Sequence, residues 1–198
     1  QQGRLTACYT GRLSTDSVAR MLRRFLPATD RTAYEGDDFD AMPVTTPIVY
    51  VYDKPDARQA MVGTYAVLPP LSSTETEAKF TVWQNYFSNG GLNSVLFREL
   101  RDLRSLVYSS QGITLKRAHK SSEDKPFAFF TLAGTQTDKA MTTLLLIDSL
   151  QTHMPWNEQD LLTARQSCVN AVNNACPNFR ERPAYVAGQE LCGYTQDP

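Results

Sequence analysis

The chain has almost no net charge, very few histidines and no long apolar run, and each shortage removes a class of function. Lys and Arg number 20 against 21 Asp and Glu, a formal charge of -1. A protein that works through phosphate contacts needs a strong basic excess, so nucleic acid is not the expected main partner. No apolar stretch approaches the roughly 20 residues that cross a bilayer. The run Leu144 to Ile147 belongs to an amphipathic helix pattern. Behind Gln1-Gln2-Gly3-Arg4 there is no apolar core of a signal peptide. The 10 Gly and 11 Pro are scattered without period, which excludes a collagen-like or low-complexity chain. Four cysteines (Cys8, Cys168, Cys176, Cys192) form no C-x-x-C pair, so neither a zinc ribbon nor a thioredoxin-like centre is expected. Buried free thiols are, with Cys168 on an apolar helix face.

What is present suits a folded protein. Hydrophobic residues are 41% of 198, enough for one large domain or two small ones without a metal or disulfide staple. Arg4 to Thr10 alternates like a strand, Gly11 breaks it, and Ser14 or Thr15 caps a helix carrying Val18, Met21, Leu22 and Phe25. Pro27 stops that helix. Residues 27 to 46 read as an acidic linker containing Glu35, Asp37, Asp38 and Asp40. Strands follow at Ile48–Asp53 and Gln59–Val67 around Lys54-Pro55-Asp56, then a helix from Ser73 to Phe87. Asn89-Gly90-Gly91 makes a tight corner between helices, because glycine tolerates positive φ. Asn93 or Ser94 opens the second helix, with Leu96, Leu100 and Leu103 as its buried stripe. Strands at 106–116 and 126–135 flank a charged loop, and helices fill 137–152, 157–174 and 181–192. Strands joined by short turns, with helices in blocks, predict an α+β fold: a mainly antiparallel sheet with helices packed on one face.

Few residues carry chemistry. His119 and His153 are far apart and start neither H-E-x-x-H nor H-x-x-E-H, so they read as surface histidines. Asp37-Asp38-Phe39-Asp40 lacks the Gly and terminal Glu of a calcium loop, and no G-x-S-x-G elbow occurs. The corner at Asn89 has neither the spacing nor the Lys of a phosphate loop. Arg98 and Arg101 lie three residues apart opposite the leucine stripe, and Tyr108 opens the next strand. An Arg can grip a carbonyl and a Tyr hydroxyl can donate to an oxyanion, but a solvated Arg and a half-buried sheet Tyr fit the same pattern.

The run from Tyr86 to Arg101 (Tyr-Phe-Ser-Asn-Gly-Gly-Leu-Asn-Ser-Val-Leu-Phe-Arg-Glu-Leu-Arg), followed by Leu106-Val107-Tyr108-Ser109, resembles the C-terminal-type, non-zinc domain of the pitrilysin (insulinase) zinc metallopeptidases. The Asp-Lys-Pro-Asp turn and Tyr9-Thr10-Gly11 agree with that domain. The resemblance implies a clamshell of repeated α+β domains, with zinc and the catalytic Glu on an N-terminal-type domain or subunit. It implies no catalytic residue and no metal here, substrate-binding roles for Arg101 and Tyr108, and a structural corner at Gly90 and Gly91. The function implied is the substrate-binding half of a zinc metallopeptidase, holding peptide against a zinc site carried elsewhere. The alternative is a non-catalytic scaffold or assembly subunit of the same fold. On this basis 1–46 reads as a strand-helix plus linker from a preceding domain, and 47–198 as the C-terminal-type domain.

Three departures accompany the resemblance. Val107 stands where the family has a small residue, the H-x-x-E-H motif is absent, and the chain stops at Pro198 before the family's last helix and strand. A fragment of a longer peptidase is the expectation, inactive by itself. An exported parent would place it in a bacterial periplasm; otherwise the compartment stays open.

Overall fold

In the computed structural model, which describes residues 7–26, 40–117 and 124–195, regular structure follows the patterns just read with two exceptions. Helices are α1 (Thr15–Phe25), α2 (Thr74–Gln84), α3 (Val95–Phe97), α4 (Ala140–Thr152), α5 (Glu158–Asn174) and α6 (Arg182–Leu191). Strands are β1 (Ala60–Leu68), β2 (Val107–Leu115) and β3 (Phe127–Thr135). The described residues fall into two compact units, one of 7–26 with 176–195 and one of 40–117 with 124–175.

The smaller unit holds α1 and α6. Ser14 caps α1, its Oγ accepting from the Ser17 N–H at 3.3 Å. Asp16 in the first turn and Arg23 and Arg24 in the last complement the helix dipole. Val18, Met21, Leu22 and Phe25 form the expected stripe, but none is buried, and Phe25 is 75% exposed. The strand expected over Arg4–Thr10 is not present in its described part, and residues 4–6 lie outside the described residues. Tyr9 curls back instead, its hydroxyl accepting from the Leu13 N–H at 2.8 Å. Residues 27–39 of the expected acidic linker, and His119, also lie outside.

In the larger unit the three strands pair antiparallel in the order β1-β3-β2. Alternate residues of β3 set the faces. Phe127, Phe129, Thr131, Ala133 and Thr135 are buried, while Phe130 and Leu132 on the opposite face are half-buried. Helices α2 and α4 pack against the buried side. Phe80 of α2 meets Phe127 and Phe129 edge-on, and Trp83 meets Phe129 with ring centroids 5.2 Å apart. From α4, Gln151 donates to Thr131 and Thr64, each at 2.9 Å, and Thr143 hydrogen-bonds Thr135 at 3.1 Å. Those bonds satisfy hydroxyls that would be costly to bury alone. Ile147, Leu150, Ala164, Leu96 and Leu100 complete the core. The α+β class and the antiparallel sheet with helices on one face stand.

Ile48–Asp53 departs from expectation. It joins no ladder, and Val51 and Tyr52 are 87% and 91% exposed. The reason is legible afterwards. Strict alternation pins a strand's register, whereas Ile48-Val49-Tyr50-Val51-Tyr52 is apolar on both sides and specifies none. The turn itself forms, with the Ala57 N–H bonded to the Lys54 carbonyl at 2.9 Å.

Candidate functional site

The segment from Asn85 to Ser109 is irregular in a connected way. Helix α2 widens into a π-helical turn at Asn85–Asn89, which buries Tyr86, Phe87 and Ser88. Gly91 then takes φ +61°, open only to glycine without strain, and a Cβ on Gly90 would come within 2.6 Å of the Asn85 carbonyl oxygen. The two glycines therefore make the corner by different means, one by backbone freedom and one by close approach. Ser94, rather than Asn93, caps the next helix, accepting from the Phe97 N–H at 3.3 Å.

Helix α3 keeps α-geometry for three residues and widens again at Arg98–Asp102, where the Leu103 N–H reaches back five residues to the Arg98 carbonyl at 3.0 Å. The extra residue advances the phase, so the predicted stripe fails at its end. Leu96 and Leu100 are fully buried, but Leu103 is 64% exposed. Leu106 takes its place against the core. The exit is a Schellman motif: Ser105 N–H bonds the Arg101 carbonyl and Leu106 N–H the Leu100 carbonyl, both at 2.8 Å. Ser105 occupies the left-handed position at φ 50°, where glycine is usual.

Arg98 and Arg101 have separate surroundings. Arg98 turns to α5, its Nη1 donating to Asp160 at 2.6 Å with Glu99 at 3.7 Å, and the Asp160 carboxylate raises its pKa. This is a structural tie, not a solvated side chain. Arg101 is exposed, its guanidinium 4.8 Å from the centroid of the Phe97 ring. Tyr108 follows a buried Val107 that pairs with Thr135, and the register jumps there, so Tyr108 is the extra residue of a β-bulge. Its side chain is 58% exposed, and Gln136 Nε2 donates to its hydroxyl at 3.4 Å. No direct Arg101–Tyr108 contact forms among the described residues. Phe97 lies within the Tyr86–Arg101 run but is singled out for no role there, and Gln136 lies outside it, so neither partner is read from the sequence.

Among the described residues no three His, Cys, Asp or Glu side chains are placed to hold a metal ion. The four cysteines are free, and contrary to the expectation of burial Cys8 and Cys176 are exposed. No helix among the described residues is long and apolar enough to cross a membrane.

Comparison with known proteins gives these features a context. No curated protein matches the chain. It resembles a crystal structure of a peptidase M16 inactive domain from Pseudomonas fluorescens, at 13% identity and a TM-score of 0.49, over 69% of this chain and 29% of that one. It also resembles a protease from Helicobacter pylori at 13% identity and a TM-score of 0.52, over 91% of this chain and 43% of that one. The chain thus spans less than half the length of either, and the second likeness supports the fold alone. The family model described as the peptidase M16 inactive domain matches residues 1–152, which includes the corner, the π-helical turns and all three strands. The chain belongs to the peptidase M16 inactive-domain family, the pitrilysin-like C-terminal type.

Proposed function

We propose that this chain is the substrate-binding half of a zinc metallopeptidase, with Arg101 and Tyr108 as the residues that hold the peptide. The observation that carries the reading is the hydrogen-bonded seven-residue path between them. A Schellman turn closed by two 2.8 Å hydrogen bonds and a buried Val107 hold both ends, while both side chains stay exposed. Stacking on Phe97 leaves the guanidinium edge of Arg101 open to donate to a peptide carbonyl. Because Gln136 donates to the Tyr108 oxygen, the phenolic proton is available to a second acceptor. Two such donors, fixed before the peptide arrives, stabilise negative charge on a carbonyl oxygen with little reorganisation.

Zinc, in this reading, resides in a separate N-terminal-type domain or subunit, and the chain alone does not hydrolyse peptides. The test uses the full-length parent or the reconstituted complex. Arg101→Ala and Tyr108→Phe are each expected to lower kcat/KM by about 100-fold, the loss typical of a transition-state donor. Unchanged turnover in both variants would refute the roles. An upstream region and partner subunits wholly without H-x-x-E-H would instead establish the scaffold reading.

A further inference from the structure

Three arginines share the stretch from Arg98 to Arg104, and they are not held alike. Arg98 Nη1 donates to the Asp160 carboxylate and Arg104 Nη1 to the Glu99 carboxylate, both at 2.6 Å. Those two charges are neutralised where they stand. Arg101, between them, is exposed and has no ion pair among the described residues. The Phe97 ring holds it instead, with the guanidinium carbon 4.8 Å from the ring centroid. A ring face fixes a guanidinium without occupying its N–H donors or cancelling its charge, and a carboxylate would do both.

The local fold aims Phe97 at this task. Ser94, 1% exposed, donates its hydroxyl to the Gly91 carbonyl at 2.9 Å and accepts from the Phe97 N–H at 3.3 Å. The glycine corner thereby sets the backbone that carries the ring. Arg101 follows four residues on, so the two side chains share one helix face. Phe97 is half-buried, yet it stands outside the hydrophobic core cluster that takes in its neighbours Val95, Leu96 and Leu100. A large apolar side chain outside the core, laid against one cation, is explained by that cation better than by packing.

We infer that Phe97 is the positioning residue for Arg101. Its ring keeps the guanidinium in one place and leaves the charge and the N–H donors for a peptide carbonyl. The inference rests on the reading of Arg101 as a peptide-holding residue, and adds to it a residue that acts only through Arg101.

The experiment measures peptide turnover in the full-length parent or the reconstituted complex. Phe97→Leu keeps apolar bulk but removes the ring, and kcat/KM is expected to fall about two- to fivefold, the worth of an exposed cation–π contact expressed as a rate. Phe97→Tyr keeps the ring and should hold wild-type turnover. In an Arg101→Ala background Phe97→Leu should cost nothing further, because the ring then has no guanidinium to place. An equal loss in both backgrounds would make Phe97 a structural residue and overturn the inference, as would a Phe97→Tyr variant no better than Phe97→Leu. Wild-type turnover in Phe97→Leu beside an impaired Arg101→Ala would overturn the positioning role alone. Full turnover in Arg101→Ala would remove the peptide-holding reading, and this inference with it.

Discussion

Ser105 carries a backbone strain that its side chain does nothing to relieve. A non-glycine residue at φ 50° costs roughly 1 kcal/mol relative to glycine, so Ser105→Gly is expected to raise unfolding free energy by up to about that amount. A denaturant titration with unchanged slope checks it; a loss of stability would mean the Schellman exit depends on the serine side chain. Gly112 poses the opposite case. Its N–H donates to Asn89 at 3.3 Å, and an added Cβ would collide with Ser88 and Phe129 beneath the corner. Gly112→Ala should cost roughly 1–3 kcal/mol, the usual penalty for overpacking. A midpoint equal to wild type would show that the corner can yield. Among the cysteines, burial pushes the Cys168 thiol up, which lowers its thiolate fraction at any given pH. A disulfide reagent near pH 8 should therefore modify exposed Cys8 and Cys176 first and Cys168 last, as mass spectrometry of timed aliquots would resolve.

At the scale of elements, much was legible because the signals are local. Serine caps at 14, 73 and 94, the Asn157 cap accepting from the Asp160 N–H at 3.1 Å, and the alternation of Phe127–Thr135 each name an element and one of its ends. What escaped depends on phase or on partners distant in the chain. Leu103 satisfied the helical spacing, but a π-helical turn inserted one residue and moved it to solvent. Tyr108 reads as an ordinary strand residue because a bulge is decided by the facing strand. The same holds for Arg98, whose partner lies 62 residues away. That ion pair joins the α3 turn to the first turn of α5. With both side chains about one-third exposed (31% each), a double-mutant cycle on Arg98→Ala and Asp160→Ala should give a coupling of roughly 1 kcal/mol, reduced by added salt. Zero coupling at low salt would make the pair incidental to the corner.

For the molecule as a whole, the family match over residues 1–152 covers the glycine corner, the leucines below it and all three strands of the sheet they cover. Arg101 and Tyr108 stand on that frame, and only turnover in the complete parent assigns them work.

The bare run Ile48–Tyr52 has a practical meaning for anyone handling this chain. It is exposed, uncharged and without proline, and β1 has an outer edge with no ladder partner among the described residues. Such a stretch is a template for stacking between copies, so the isolated chain should self-associate as its concentration rises. Light scattering across a dilution series should show this, with Val51→Lys holding the chain monodisperse to higher concentration. If the variant scatters like wild type, the stickiness lies elsewhere. Until then, dilution is a control that belongs in every measurement of melting, labelling or ligand affinity made on it.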